Sequence, residues 1–362
     1  MVNYLITGAT GWIGRNLVDR LLDREGARLW LLVRPSTVTR EAEQLEAWRR
    51  RGDVRVLEGD IVEPALGLSA EAAGDVAFDH VFHLAAGFAL KPEGDALERM
   101  NVGGTRALIA WLRSREFAGV LHHVSSIAVA GDHPGTLGED ELELGQTLHH
   151  PYHQSKYTAE QLVRGLEDMR WRIYRPSSVV GDSRSGYMIR ADGSYFMFNM
   201  VRRLTALVPA WVPLVNPRAG ALNMVPVDYV AAALDAIAHE PGWDGRGFNL
   251  VDPSPLSSLE AFNVLAEHAG GPRMRWTLGS RRRRDVKRRS GPLTALRDRL
   301  LAAVGVPVSA WKAMNLHVTF TTTNVDAALA GTAIRCPSQR EYLARLWDYW
   351  ARHLDPARRE RD

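Results

Sequence analysis

The chain has 362 residues, a length that fits two domains or one large domain with an extension. Hydrophobic residues make up 46% and charged residues 24%, values typical of folded globular proteins, so disorder along the whole chain is excluded. The formal net charge of +3 is too small for a nucleic-acid binder that uses its whole surface, and the single cysteine, Cys336, excludes an internal disulfide and a cysteine-based metal cluster.

Short apolar runs alternate with longer amphipathic stretches along the first half of the chain. The predicted strands are Tyr4–Ile6, Leu29–Val33, Val54–Leu57, His80–Leu84 and Val120–Val124, followed later by Trp171–Tyr174 and Gly247–Val251. The predicted helices are Arg15–Arg24, Arg40–Arg50, Ala96–Arg113 and Lys156–Met169. This alternation predicts right-handed βαβ units and therefore an α/β fold with a doubly wound parallel sheet.

The composition changes from Gly181 onward. The stretch Gly186–Pro217 is rich in methionine, aromatic residues and proline. It fits the core of a small helical subdomain, and it also fits the wall of an apolar pocket for a long flexible ligand. We predict a first domain over residues 1–180 and 222–252, and a smaller, mainly helical C-terminal substrate domain over 181–221 and 253–362.

A strongly basic segment follows in the second domain. Arg281–Arg289 carries seven basic residues and one aspartate. A solvated linker explains it, and so does a patch for a polyphosphate such as coenzyme A, for an acidic carrier protein or for an anionic membrane. Beyond it, Leu293–Leu301 and Tyr342–Leu354 have the pattern of amphipathic helices.

Signals for secretion or membrane insertion are not evident. Met1–Tyr4 leads into an apolar run without the basic segment and cleavage site of a secretory leader. The uncharged stretch Leu204–Pro217 is shorter than the roughly 20 residues that span a bilayer, and its prolines would break a helix. We therefore expect a cytoplasmic protein.

A glycine-rich turn, Thr7–Gly14, lies between the first predicted strand and the first predicted helix. Glycines there permit a tight turn and let backbone N–H groups approach a pyrophosphate, to which the helix N-terminus adds partial positive charge. The position predicts a dinucleotide-binding Rossmann domain. The residues of the turn expected to contact the cofactor are Gly8, Thr10, Gly11, Trp12, Ile13 and Gly14.

The end of the second predicted strand bears on which dinucleotide binds. An enzyme that uses NAD usually presents a carboxylate about 20 residues beyond the last glycine. Here Arg34 follows the strand, with no carboxylate nearby. An arginine pairs with a 2′-phosphate and stacks on adenine, so we predict NADP. Asp60, after the third strand, is placed to meet the adenine edge.

The chemistry is predicted to rest on Ser125–Ser126 and on Tyr152 with Lys156. Residues four apart share one face of a helix, so Lys156 is expected beside Tyr152. A phenol has an ordinary pKa near 10, and a neighbouring ammonium together with a cationic nicotinamide stabilises the phenolate. A serine at a neighbouring strand end then shares the carbonyl oxygen of the substrate with the tyrosine.

Together these motifs resemble the extended short-chain dehydrogenases/reductases, and within them the fatty acyl-CoA reductases and thioester reductases with a male-sterility-type NAD-binding domain. The stretches that carry the resemblance are Thr7–Gly14, His80–Ala86, Asn101–Thr105, His123–Ser126, Pro151–Lys156, Tyr174–Pro176 and Val225–Val230. Tyr349–Pro356 resembles the junction in two-domain bacterial fatty acyl-CoA reductases, where a second reductase domain follows in a longer parent chain.

The resemblance implies a role for each site residue. Tyr152 is the expected proton donor and Ser126 orients the carbonyl oxygen. Lys156 binds the nicotinamide ribose and lowers the pKa of the tyrosine, Ser125 lines the nicotinamide side, and Asn101 holds a backbone kink or a water near Lys156. Only geometry separates the roles of the two serines. Further expected cofactor contacts are Ile61, Leu84, Ala85, Ala86 and Pro176.

The preferred function is reduction of a long-chain acyl thioester, carried by CoA or a carrier protein, or of the matching aldehyde, with NADPH as hydride donor. One alternative is an extended reductase or epimerase that acts on a sugar nucleotide, a hydroxysteroid or a flavonoid-like ketone. An alternative of another class is a catalytically silent NADP sensor or scaffold. No nucleic-acid partner is expected. No metal is expected either, because His122–His123 and His149–His150 lack the i, i+4 spacing of helical metal ligands.

Overall fold

The computed structural model describes residues 1–69, 72, 74–88, 95–189, 195–216, 220–277 and 318–355. The predicted basic segment Arg281–Arg289 and the predicted helix Leu293–Leu301 lie outside these residues. The chain divides into two compact units. The first is Met1–Ser177, Val227–Val251 and Val318–Arg335, and the second is Ser178–Pro226, Asp252–His317 and Cys336–Asp362. The predicted second domain had included Val318–Arg335, which the structure groups with the first unit.

Strands and helices alternate along most of the described residues. The strands are β1 Val2–Thr7, β2 Ala27–Val33, β3 Asp53–Glu58, β4 His80–His83, β5 Val120–Val124, β6 Thr136–Leu137, β7 Arg170–Pro176, β8 Ser178–Val180, β9 Leu214–Asn216, β10 Met224–Pro226, β11 Arg246–Leu250, β12 Met274–Thr277 and β13 Thr319–Phe320. The helices are α1 Trp12–Leu22, α2 Pro35–Arg40, α3 Ala42–Arg51, α4 Gly104–Arg113, α5 Pro151–Arg164, α6 Phe196–Leu207, α7 Val227–His239, α8 Ser258–His268, α9 Thr323–Ala328 and α10 Gln339–His353.

The first unit is built on a seven-stranded sheet in the order β11–β7–β5–β4–β1–β2–β3. Every neighbouring pair in it is parallel. The predicted doubly wound parallel Rossmann sheet is therefore confirmed. Since all strands run the same way, their carboxyl ends meet at one edge, which in such sheets is where ligands bind.

The bounds of the predicted helices differ from those in the structure. The helix predicted over Arg40–Arg50 corresponds to α3, and a further helix, α2, which Pro35 begins, precedes it; the backbone of Glu41 leaves the helical region between the two. The helix predicted over Ala96–Arg113 begins as a π-helical turn, Glu98–Gly103, and continues as α4. The helix predicted from Lys156 begins at Pro151, so the whole Tyr152–Lys156 motif lies inside it.

The two faces of the sheet have different cores. Leu5, Val81, Leu121 and Ile173 are buried on one face together with apolar side chains of α4 and α5. The opposite face carries a row of stacked rings that crosses neighbouring strands. This row consists of Tyr4, Phe82, His122, Tyr174 and Phe248, with centroids 4.5–6.4 Å apart between neighbours. Polar rings therefore form part of the core on this second face.

The second unit has its own apolar core. Phe198 of α6 packs against Trp347 and Trp350 of α10, with ring centroids 5.8 and 5.7 Å away. The helix α8 begins with a capping box between Ser257 and Glu260. The hydroxyl of Tyr342 donates to the carbonyl oxygen of Met224 at 3.0 Å. Helices α6, α8 and α10 supply most of the core, and the substrate-binding role of this unit stays a prediction.

The methionine- and aromatic-rich stretch contributes strongly to that core. Met188, Tyr195, Met197, Phe198 and Met200 are buried there. In contrast, Tyr187 is 45% and Trp211 80% exposed. The structure therefore favours the subdomain-core interpretation for the buried members. Among the described helices, none combines the length and apolar composition needed to cross a membrane.

Candidate active site

The glycine-rich turn is shaped by close backbone approaches. Gly8 has φ +73°, and a Cβ on it would lie 2.6 Å from the backbone nitrogen of Ala85. A Cβ on Gly14 would lie 2.1 Å from the carbonyl oxygen of Gly8. Gly11 donates its N–H to the same oxygen at 3.0 Å and is the N-cap of α1. The turn therefore presents backbone and the N-terminus of α1 at the carboxyl edge of the sheet, as an anion-binding turn requires.

Arg34 stands at the end of β2 and is exposed. Its carbonyl oxygen accepts the N–H groups of Thr37 and Val38, which starts α2. Its guanidinium forms no hydrogen bond or ion pair with the part of the chain that the structure describes. Arg15, in contrast, is held by Thr10 and by Glu41. An unpaired exposed guanidinium at this position is compatible with binding a phosphate.

Asp60 and Ile61 follow β3. The carboxylate of Asp60 accepts the N–H of Val62 at 3.2 Å, and its backbone N–H donates to the carbonyl oxygen of Leu66 at 2.9 Å. Ile61 is buried, and a Cβ on Gly104 would lie 2.6 Å from its side chain. Asp60 thus closes a local turn, and its predicted contact with adenine stays a prediction.

The segment after β4 is fixed to its surroundings by side-chain hydrogen bonds. Ala85 donates its N–H to Thr7 Oγ1 at 3.2 Å. Gly87 donates its N–H to Asn101 Oδ1 at 2.6 Å and accepts from Asn101 Nδ2 at 3.1 Å. The same Nδ2 donates to Ser155 Oγ on α5 at 2.9 Å. Asn101 lies in the π-helical turn, and its amide joins the segment after β4 to α5; its expected role near Lys156 stays a prediction.

A buried histidine connects this segment to the sheet, and the sequence did not indicate its role. His83 Nδ1 lies 2.8 Å from Thr7 Oγ1, and its Nε2 lies 3.0 Å from Thr105 Oγ1. Thr105 in turn donates to the carbonyl oxygen of Asn101. Burial, together with the positive charge of Lys156, lowers the pKa of His83 to about 3. The ring is therefore neutral, and both of its nitrogens are used.

The Ser126 hydroxyl lies near the Tyr152 phenol. Ser126 caps the short 3-10 helix Ile127–Ala130, because its hydroxyl accepts the N–H of Ala128 at 3.2 Å. Burial raises the pKa of the Tyr152 phenol, and a hydrogen bond with the Ser126 hydroxyl acts in the opposite direction. Ser125 is buried, and its backbone N–H donates to the carbonyl oxygen of Tyr174. Of the two serines, Ser126 is the one that acts on the pKa of Tyr152, and the predicted roles of both serines stay predictions.

Lys156 is anchored at the end of β5. Its ammonium donates to the carbonyl oxygen of Val124 at 2.7 Å, and the side chain is buried. Burial lowers the pKa of Lys156 to about 8, while the negative charge of Glu160 acts in the opposite direction. Burial dominates the shift of the Tyr152 pKa. The predicted lowering by Lys156, which also involves a cationic nicotinamide, stays a prediction.

Two contacts around α5 were not predicted. Glu160 and Arg175 form a salt bridge at 2.5 Å with both side chains fully buried. This pair ties α5 to β7, which ends at Pro176. At the start of the helix, His150 accepts the N–H of Tyr152 on Nδ1 at 3.1 Å and serves as N-cap. The sequence did not indicate this cap, since histidine is not among the usual N-cap residues.

The fold and the site define an NAD-binding oxidoreductase of the extended short-chain dehydrogenase/reductase type. A family model described as "Male sterility protein", an NAD-binding family, matches residues 6–234. Because this match covers more than half of the chain, the chain belongs to that family.

Several relatives carry more specific names. The chain is 29% identical over 287 residues to a glycine betaine reductase of Emericella nidulans, covering 72% of this chain and 22% of that protein. It is 28% identical over 295 residues to a non-canonical nonribosomal peptide synthetase of a Cladobotryum species, covering 75% of this chain and 28% of that protein. The chain therefore spans less than a third of the length of these two relatives.

Solved structures give a closer match in length. The terminal R domain from the myxalamid PKS-NRPS biosynthetic pathway has a TM-score of 0.77 and 26% identity, with 99% of this chain and 92% of that one covered. A thiolation-reductase di-domain from an archaeal nonribosomal peptide synthetase has a TM-score of 0.70 and 17% identity, covering 97% and 90%. The second likeness shows the fold alone.

Proposed function

We propose that the protein reduces an acyl group held as a thioester, with NADPH as the hydride donor, and releases the aldehyde and the thiol. The observation that carries this proposal is the Ser126 hydroxyl beside a half-buried Tyr152 phenol, close enough to act on the pKa of that phenol, at the carboxyl edge of the sheet. Two hydroxyls that converge in this way offer hydrogen bonds to one carbonyl oxygen.

The described residues fit a dinucleotide phosphate. Cβ atoms on Gly8 and Gly14 would collide with backbone, so the turn is built for close approach, and the Arg34 guanidinium has no partner among the described residues. In the proposal, the turn and the N-terminus of α1 hold the pyrophosphate, Arg34 holds the 2′-phosphate, and Lys156 binds the ribose. The bound cofactor supplies the hydride.

The chain's own groups handle the carbonyl oxygen. Ser126 orients the oxygen, and Tyr152 donates its proton to the oxygen as negative charge develops there. A pKa raised by burial keeps this phenol protonated at neutral pH, which suits a proton donor in the direction of reduction. After hydride addition, the tetrahedral hemithioacetal loses its thiol, so the carbon–sulfur bond breaks and the carbonyl re-forms.

The names of the relatives support a thioester over a free ketone as substrate. They include a structure titled as a thiolation-reductase di-domain and a terminal R domain of a PKS-NRPS pathway. A long aliphatic acyl group on CoA or on a carrier protein remains our preferred substrate. Reduction of the matching aldehyde to the alcohol is the second candidate, because the same two hydroxyls serve an aldehyde carbonyl equally well.

The test measures NADPH oxidation with decanoyl-CoA, decanoyl-pantetheine and decanal in parallel. We expect turnover of a thioester with the wild-type protein, and a loss of at least a thousandfold in Tyr152→Phe. Tyr157→Phe on the same helix is the matched control and should keep wild-type activity. Turnover of decanal alone would select the second candidate, and no turnover of any of the three would overturn the proposal.

The choice of cofactor is tested separately. We expect Arg34→Ala to raise the KM for NADPH at least tenfold without changing the KM for NADH. Arg40→Ala, an exposed arginine on α2, should change neither constant. An equal preference for NADH in the wild-type protein would contradict the NADPH assignment.

A further inference from the structure

An aromatic side chain that no motif indicated lies against the catalytic phenol. Phe88 follows the segment after β4 and is 57% exposed. Its ring meets the ring of Tyr152 in a T-shaped contact, with the centroids 5.1 Å apart and an interplanar angle of 88°. A single exposed phenylalanine is common, so its exposure alone indicates no function. The position in which the ring is held is more informative.

The backbone that carries Phe88 is fixed relative to the catalytic helix. Gly87 is bonded through both its N–H and its carbonyl oxygen to Asn101, which is buried. The Asn101 amide also donates to Ser155 on the same helix as Tyr152. A Cβ on Gly87 would lie 2.9 Å from Met100 Sδ, so only glycine fits there without a shift. The ring of Phe88 is therefore positioned by the same polar cluster that borders the site.

The contact limits how a substrate reaches Tyr152. The phenol has the Ser126 hydroxyl nearby and the ring of Phe88 against its own ring. A carbonyl that accepts the Tyr152 proton brings the first carbons of its substituent close to the exposed phenyl ring. Polar groups would lose hydrogen bonds to water against that ring, whereas methylene groups would not. A branch next to the carbonyl would require the space that the ring fills.

We infer that Phe88 is a specificity-determining residue, which packs on the first methylene groups of the acyl chain and selects unbranched aliphatic acyl groups over those branched next to the carbonyl. This inference rests on the proposed function, since it concerns the substrate of that same site. It names the class of substrate more narrowly, as a straight-chain acyl thioester.

The test compares decanoyl-pantetheine with 2-methyldecanoyl-pantetheine in the full chain. We expect wild type to prefer the straight chain, and Phe88→Ala to reduce the ratio of the two kcat/KM values at least tenfold. Phe88→Leu should give an intermediate ratio. Phe117→Leu, a half-buried phenylalanine before the amino end of β5, is the matched control and should keep the wild-type ratio. An unchanged ratio in Phe88→Ala would overturn the inference.

A binding measurement separates this inference from the proposed function. The nonhydrolysable thioethers S-decyl-pantetheine and S-(2-methyldecyl)-pantetheine are titrated into wild type and Phe88→Ala in the presence of NADP⁺, with thermal melts to verify folding. Discrimination that depends on Phe88 without any turnover would sink the proposed function and keep the inference. Turnover without that discrimination would keep the proposed function and overturn the inference. Absence of both binding and turnover would overturn both.

Discussion

Two neighbouring histidines on β5 occupy opposite faces of the sheet and differ in the hydrogen bonding of their ring nitrogens. His122 and His123 are both buried, and burial lowers the pKa of each well below its ordinary value. His122 uses both ring nitrogens: Nε2 lies 3.0 Å from His80 Nδ1, and Nδ1 lies 3.0 Å from the Tyr174 hydroxyl. In His123, neither nitrogen has a hydrogen-bond partner among the described residues.

The face of the sheet that holds His122 is structural, whereas the face that holds His123 also carries the candidate site. On the side of His122, polar rings bond to one another and form part of the core. On the side of His123 lie His83, with a ring centroid 5.5 Å away, and the positive charge of Lys156. A buried polar group without a partner costs stability. The face of β5 that carries His123 therefore holds a buried imidazole that no hydrogen bond with the described residues stabilises.

Lowering the pH should produce the largest loss of folding stability, because protonating the buried imidazoles is unfavourable in the folded chain. The folded-state pKa is lowered to about 4 for His80 and about 3 for His83, and it is well below 6.5 for His122 and His123. Below pH 6.5 the unfolded chain therefore binds more protons than the folded one. Stability is lost as pH falls from 6.5 toward 4, by up to ~1.4 kcal/mol per pH unit and histidine.

Glu139 provides the control for the sign of this effect. Burial raises the pKa of its carboxyl to about 7, so it contributes in the opposite direction, stabilising the fold as pH falls from 7 toward 4.5. Urea unfolding followed by tryptophan fluorescence at pH 8, 6.5, 5.5 and 5 measures the net slope. Glu139→Gln should make the acid loss steeper. A free energy of unfolding that is constant between pH 6.5 and 5 would contradict the burial of neutral histidines.

Among single substitutions, replacing His122, the hydrogen-bonded histidine of the two on β5, should give the largest loss of stability. His122→Ala leaves a cavity and removes the partner of both His80 Nδ1 and the Tyr174 hydroxyl. We expect a loss of about 3–5 kcal/mol in the free energy of unfolding, measured with urea at pH 8.

His123→Ala is the matched variant, because it leaves no described partner unpaired. It should cost about half as much as His122→Ala or less, from the cavity alone. Equal losses in the two variants would show that hydrogen bonding does not distinguish the two faces.

The features that follow from local pattern were predictable from the sequence. The alternation of apolar and amphipathic stretches predicted the parallel sheet, and the glycine turn predicted the edge at which the site lies. The motifs predicted that Tyr152 faces the serines that follow β5. Each of these depends on residues close in the chain or on the known geometry of βαβ units.

The rest depends on which side chains meet from distant parts of the chain. Strand periodicity places His122 and His123 on opposite faces, but it does not say that only one finds partners. The ammonium of Lys156 bonds to a carbonyl of β5, and the amide of Asn101 reaches Gly87, since loops and a π-helical turn bring them together. Phe88 has no motif, so only its contact with Tyr152 indicates a role.

His83, a hydrogen-bonded histidine on the same face of the sheet as the candidate site, allows a test with a smaller expected effect on stability. Thr105→Val keeps the shape of the side chain but removes the hydroxyl that bonds His83 Nε2 and the carbonyl oxygen of Asn101. We expect a loss of about 1–2 kcal/mol in the free energy of unfolding, because one buried imidazole nitrogen becomes unpaired. Thr136→Val, at an exposed threonine, is the control and should change stability by less than about 0.5 kcal/mol. Equal effects at both positions would show that the His83 bond contributes nothing.

The smallest expected effect has the opposite sign. His123→Phe replaces a buried ring, whose two nitrogens have no partner among the described residues, with an apolar ring of similar shape, so we expect a gain of about 1 kcal/mol in urea unfolding at pH 8. His122→Phe, the same substitution on the neighbouring residue, should destabilise, since it breaks the bonds to His80 and Tyr174. If both substitutions destabilise equally, His123 has polar partners outside the described residues, and the two faces of β5 do not differ in their hydrogen bonding.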